Sequence, residues 1–223
     1  MGFELKQLGF NFNFAPCGDV NNNPKNPVIN VRSYSENPHV VADFIEASVK
    51  GYTDSGLMTS VKHYPGHGDT SVDSHAGLPM VNYDVKRIND VELVPFKRAV
   101  KKALPGIMVS HMMFTQIDDT YPATMSKTLI NDLLKEKLGY QGLVVTDSLT
   151  MNAVWGHYEM EEIVEKCFNA GNDIMLICGK RDNASYRKFK EIAVKLVNEG
   201  KIKEEIIDKA VSKILSYKKK FNC

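Results

Sequence analysis

Between Lys62 and Pro79 the chain reads KHYPGHGDTSVDSHAGLP, and thirteen consecutive residues there hold three of the six histidines (His63, His67, His75) and two aspartates (Asp69, Asp73). Titratable side chains crowded onto a Gly/Pro-rich loop after a strand are the composition of a reactive site. A solvated surface loop shares that composition, and the flanking motifs separate the two readings. Asp73 and His75 stand two residues apart. In an extended segment such residues point the same way, so Asp73 can hydrogen-bond the imidazole. That contact would fix the tautomer and raise a pKa that starts near ~6.5. Protonated, His75 could give a proton to a leaving oxygen, and neutral it could activate water. The His63-x3-His67 spacing would suit zinc on a helix, but Pro65-Gly66 break any helix there, so no metal is expected. GHGDT lacks the GxxxxGK[ST] frame of a phosphate-binding loop.

Short strands must position this loop and its neighbours. Leu8 to Pro16 alternates apolar and polar residues and reads as a strand ended by proline. Asn37-Pro38 opens a helix, cap then Pro, with Val41, Phe44, Ile45 and Val49 on one face. Gly56 to Val61 is a buried strand that delivers Lys62 and His63. Val91 to Leu104 reads as a second amphipathic helix, and Gly106 to His111 as another strand. Ser126 caps a third helix, Lys127 to Leu138, stopped by Gly139. Gly142 to Thr146 is a strand ending at Asp147. A helix around Glu161–Ala170 leads to a last strand, Asp173 to Cys178. Helices near Asn183–Glu199 and Lys203–Lys218 follow.

This alternation predicts an α/β fold with a parallel sheet. Asp19, Lys62, His63, His111 and Asp147 all fall at the C-terminal ends of predicted strands, where such folds place their active sites. Five strands are visible, whereas a closed (β/α)8 barrel has eight.

Composition narrows the function class. The 223 residues carry 28 basic and 27 acidic side chains, so there is no basic footprint for nucleic acid and no polybasic membrane anchor. No apolar run approaches the roughly 20 residues of a membrane span. Cys17, Cys167, Cys178 and Cys223 are scattered, without a CxxC, and read as free thiols of a reducing compartment. No signal peptide is visible at MGFELKQLGF, so a cytoplasmic location is expected.

The loop KHYPGHGDTSVDSH, the upstream APCGDV and RSYSENP, and the downstream SHMMF, PATMS and LGYQGLVVTDSLTM resemble glycoside hydrolase family 3. Within it they are similar to the β-N-acetylglucosaminidase branch that trims peptidoglycan fragments. The resemblance runs from about Leu8 to Cys178 in family order. It implies that residues 1–223 are a single, incomplete TIM-like barrel domain, strands 4–8 with their helices. The family's segments that carry a sugar-binding aspartate and a nearby arginine, on and after its third strand, are then absent. Open sheet edges would favour self-association.

The resemblance also implies roles. Asp147, in VVTDSLTM, would be the nucleophile of a retaining mechanism, forming a covalent glycosyl-enzyme. Taken alone, an aspartate there could equally cap a helix. His75 with Asp73 would be the acid/base, a departure from the usual two-carboxylate scheme. Arg32, Lys62 and His63 would bind sugar hydroxyls, and Asp19 and His111 would support them from the rim. The expected activity is hydrolysis of terminal GlcNAc from cell-wall fragments, a small carbohydrate substrate, without a cofactor. A phosphorylase of the same family, or an inactive remnant, are the alternatives.

Overall fold

A computed structural model of the chain describes residues 1–71, 77–178 and 183–223. The first elements are helix α1 (Gly2–Gln7), strand β1 (Phe12–Asn13), helix α2 (Pro38–Asp54) and strand β2 (Met58–Tyr64). Strand β3 (Met80–Val81), helices α3 (Val85–Asp90) and α4 (Val94–Lys101), and strands β4 (Gly106–Val109) and β5 (Met113–Phe114) come next. A π-helix (Thr128–Lys137) precedes strand β6 (Leu143–Ser148). Helices α5 (Asn152–Trp155) and α6 (Met160–Ala170), strand β7 (Ile174–Leu176), and helices α7 (Asn183–Asn198) and α8 (Glu204–Lys220) complete the chain.

Five strands form one parallel sheet in the order β1-β2-β4-β6-β7, curled as half of a TIM-like barrel. Because every strand runs the same way, their C-terminal ends share one rim. The register lines them up there: Cys17 bridges Lys62, Tyr64 pairs with Val109, Val109 with Thr146, and Ser148 with Leu176. Strands β1 and β7 are the edges of this sheet.

Helices cover the outer face, which is why β2 and β4 are almost continuously buried rather than alternating. Helices α2 and α4 pack on each other and on β2. The main core includes Ile45, Val61, Tyr64, Phe96, Ile107, Leu129 and Val144. Tyr64 and Phe96 meet edge to face, with centroids 5.5 Å apart and planes at 88°, and the Tyr64 hydroxyl donates to the Leu129 carbonyl at 3.0 Å. A second core joins Leu149, Val154, Val164, Cys167 and Leu196 beneath α6 and α7.

Several elements differ from expectation for local reasons. Regular pairing of β1 covers only Phe12–Asn13, because Pro16 has no N–H to give a ladder. Contact with β2 nonetheless continues, with Ser60 N donating to Ala15 O and Lys62 N to Pro16 O. The helix expected over Val91–Leu104 is shorter, Val94–Lys101, with Pro95 in its first turn, and the separate helix α3 precedes it, capped by Asp84, which accepts from Arg87 N at 2.7 Å. Ser126 does cap its helix, its Oγ accepting from Leu129 N at 3.2 Å. The two-stranded ribbon β3–β5, α1 and α5 carry too few residues to show periodicity.

The core contact at Phe96 gives a stability test. Phe96→Ala empties a fully buried site and should cost about 3–5 kcal/mol in urea unfolding. Val194→Ala, at a position 53% exposed, should stay within about 0.5 kcal/mol.

Candidate active site

The rim begins with Asp19, which is fully buried. A buried carboxylate must be supplied with donors, and this one has four. Its Oδ1 accepts from His67 N at 2.6 Å. Its Oδ2 lies 2.7 Å from His63 Nδ1 and accepts from Cys17 Sγ at 3.1 Å. His63 N points at both oxygens, 3.2 Å from each. Burial alone would favour the neutral acid, but the charge and hydrogen bond of His63, followed by His67, hold Asp19 well below the usual carboxylate range. Asp19 therefore carries the negative charge around which the rim is built.

That charge fixes His63. A carboxylate only accepts, so Nδ1 carries a hydrogen, and Nε2 is the nitrogen on the side of Asp147 and Arg32. Nε2 lies 3.9 Å from Asp147 Oδ2 and 3.5 Å from an Arg32 guanidinium nitrogen. Arg32 arrives on a 3-10 turn, Asn30–Arg32, steadied by Asn26. Asn26 Oδ1 accepts from Val28 N and Ile29 N, and its amide donates to His67 O at 2.8 Å. Lys62 precedes His63, and burial, then the charge of Arg32, hold its ammonium below the usual lysine range against the pull of Asp147.

Asp147 is the penultimate residue of β6, its side chain a quarter exposed, and its Oδ1 accepts from Ser148 N at 2.7 Å. Burial again opposes ionisation, but His63, His111, the Ser148 N–H and Lys62 together lower its pKa. An ionised, partly accessible carboxylate at the barrel mouth has the character a nucleophile needs. His111, supporting by expectation, sits beneath it, with Nε2 2.9 Å from the Ser148 carbonyl and Nδ1 2.6 Å from Thr124 Oγ1.

Asp19, Arg32, Lys62, His63, His111 and Asp147 are thus brought to one rim, while Asp73 and His75 lie outside the described residues. The base of their loop is braced. Asp69 Oδ2 accepts from Tyr83 OH at 2.5 Å and Arg87 at 3.1 Å, and Arg87 also donates to the buried Glu92 at 3.0 Å. Gly66 (φ +148) passes so close to Glu92 that a Cβ would stand 2.7 Å from the Glu92 Cβ, and a Cβ at Gly68 would overlap the Val20 carbonyl. No side chain fits at either turn.

Cys17 and His67 are additions that sequence reasoning did not place in the site. Cys17, Asp19 and His63 put a thiol, a carboxylate and an imidazole within 4.8 Å of one another, the one such trio among the described residues. Burial, then the charge of Asp19, pushes the Cys17 thiol far up, and Asp19 is already occupied by N–H and S–H donors. The trio is a hydrogen-bonded cluster. His67 does not join it as a ligand. Its ring centroid lies 6.0 Å from that of His63.

Burial pushes His67 down to about 4, against the attraction of Asp19. Below its unfolded value of ~6.5 the unfolded chain therefore takes up a proton that the folded chain refuses, and stability falls as pH drops from ~6.5 towards 4. His67→Asn should flatten that part of the curve. Urea midpoints between pH 7 and 4.5 measure it, and parallel slopes for the two proteins would refute it.

The chain matches the model of the "Glycosyl hydrolase family 3 N terminal domain" over residues 1–217. It is 40% identical over 236 residues to "Beta-hexosaminidase A" of Pseudoalteromonas piscicida, covering 99% of this chain and 40% of that protein. It is 32% identical over 225 residues to the "Beta-hexosaminidase" of Psychromonas ingrahamii, covering 99% of this chain and 62% of that one. The structure of a glycoside hydrolase family 3 β-N-acetylglucosaminidase from Paenibacillus sp. str. FPU-7 shares the fold with a TM-score of 0.93 at 40% identity, over 99% of this chain and 42% of that chain. The chain spans less than two thirds of the length of each. Its half-barrel, its rim and this match over nearly every residue lead to one conclusion: the chain belongs to glycosyl hydrolase family 3, in the N-terminal domain of that family.

Proposed function

We propose that the chain is the working rim of a retaining, exo-acting β-N-acetylglucosaminidase that removes terminal GlcNAc from peptidoglycan-derived fragments. The observation that carries this reading is the ionised Asp147, reached from one side by His63 and standing among Lys62, His111 and the Ser148 N–H. Relatives named β-hexosaminidase and β-N-acetylglucosaminidase support the choice of sugar. A cytoplasmic site of action fits four cysteines that are all free thiols.

In the first step a carboxylate oxygen of Asp147 attacks the anomeric carbon. The glycosidic bond breaks as His75 gives its proton to the departing oxygen, leaving a glycosyl ester on Asp147. In the second step neutral His75 takes a proton from water, the water oxygen bonds to the anomeric carbon, and Asp147 leaves as carboxylate. The part assigned to Asp73 is to accept from His75 and keep it protonated for the first step. Arg32 and Lys62 donate to sugar hydroxyls, and His63 binds one through Nε2. Asp19 holds the ring by its Nδ1 hydrogen, so Nε2 is the nitrogen turned to the sugar. These two steps draw on no cofactor.

A chromogenic GlcNAc glycoside tests the reading. Turnover should release GlcNAc and fall by at least about 10³-fold in Asp147→Asn. A fluorinated GlcNAc glycoside that slows the second step should leave one added sugar on the peptide containing Asp147 by mass spectrometry. GlcNAc-1-phosphate as the product in phosphate buffer would point to a phosphorylase. A folded chain without turnover or label would contradict the proposal.

A further inference from the structure

We propose that His111 is a positioning residue with a proton store: Thr124 lets its buried ring take up a second proton without losing a hydrogen bond, and the resulting cation keeps Asp147 ionised. The inference rests on the reading of Asp147 as the nucleophile.

The argument is a count of hydrogens. His111 is 1% exposed, and both ring nitrogens are engaged. Nε2 faces the Ser148 carbonyl at 2.9 Å, and a carbonyl only accepts, so Nε2 carries a hydrogen in every state. Nδ1 faces Thr124 Oγ1 at 2.6 Å, and the same Oγ1 lies 2.6 Å from the Ser110 carbonyl. A hydroxyl has one hydrogen. If it points at Nδ1, the ring is neutral. If it turns to Ser110 O, Nδ1 must donate to Oγ1, and the ring is an imidazolium.

Neither state strands a buried group. When the hydroxyl turns away from Ser110 O, that oxygen keeps the Thr124 N–H at 3.1 Å. Burial ordinarily disfavours a charged histidine, largely because its new N–H must find an acceptor away from water. Here one hydroxyl rotation supplies that acceptor.

What decides between the states is charge. Asp147 immediately precedes Ser148, whose carbonyl His111 clamps, and the two side chains interact electrostatically. Among the described residues, the other titratable groups that act most strongly on Asp147 are Lys62 and His63 from β2, and His67 from the loop after it also feels its charge. These are cationic or neutral, so Asp147 is the anion within this group that rewards a proton on His111. Linkage is reciprocal: removing the Asp147 charge must weaken the hold of His111 on its second proton.

The test is nuclear magnetic resonance of the His111 ring carbons and nitrogens across pH in the whole chain, which needs no turnover. The His111 midpoint should lie above ~6.5, with Nε2 protonated throughout. Asp147→Asn, close to isosteric, should lower it by about one unit or more. Thr124→Val, which removes the acceptor, should leave the ring neutral over the same range, whereas Thr124→Ser should titrate like the unaltered chain. A midpoint below ~6.5, or one unmoved by Asp147→Asn, overturns the proposal, as does a Thr124→Val chain that folds and titrates normally. If Thr124→Val does not fold, the Asp147→Asn titration decides. The reading of Asp147 as nucleophile stands or falls separately, on covalent labelling.

Discussion

The structure depends on a buried negative charge. Asp19 is fully enclosed, and a carboxylate taken out of water costs several kcal/mol unless donors replace its hydration. Its donors come from three places in the chain: its own strand exit at Cys17, the end of β2 at His63, and the following loop at His67. Satisfying Asp19 therefore ties the β1 exit, the β2 terminus and the root of the histidine-rich loop into one unit. Breaking it from one side would leave an unpaired charge in the interior, which is more damaging than never having buried it.

From that anchor the chemistry is passed outward by tautomer and by charge. Asp19 holds a hydrogen on Nδ1 of His63, and the other side of that ring meets Asp147 and Arg32. Lys62, His63 and His111 supply the positive surroundings that let Asp147 stay ionised although largely shielded from solvent. The parallel sheet makes this possible, because it brings the ends of β2, β4 and β6 to one rim in adjacent register.

Much of this was legible in the amino-acid sequence. Apolar runs ended by Lys62-His63, Ser110-His111 and Asp147 are strands with polar termini, and helices between them require a parallel sheet. Asn37-Pro38 marks the start of α2 from local chemistry alone, and its side chain indeed accepts from His39 N and Val40 N. What stayed hidden was long-range. Asp19 reads as a supporting residue because its partner His63 lies 44 positions away, and no local pattern joins them. Thr124 looks like an ordinary turn residue until folding sets it against His111, and Cys17 gives no sign of its place beside the carboxylate. Breaks in helices, such as the one before Pro95, follow local rules but shift boundaries by several residues.

The central claim, that Asp19 is a carboxylate whose charge organises the rim, is tested most directly by following its side-chain carboxyl carbon by nuclear magnetic resonance as the folded protein is acidified. The account predicts that Asp19 stays ionised well below the ~3.9 of an ordinary aspartate and begins to protonate only as the fold itself fails. Titration at or above ~3.9 in a chain that remains folded would contradict it.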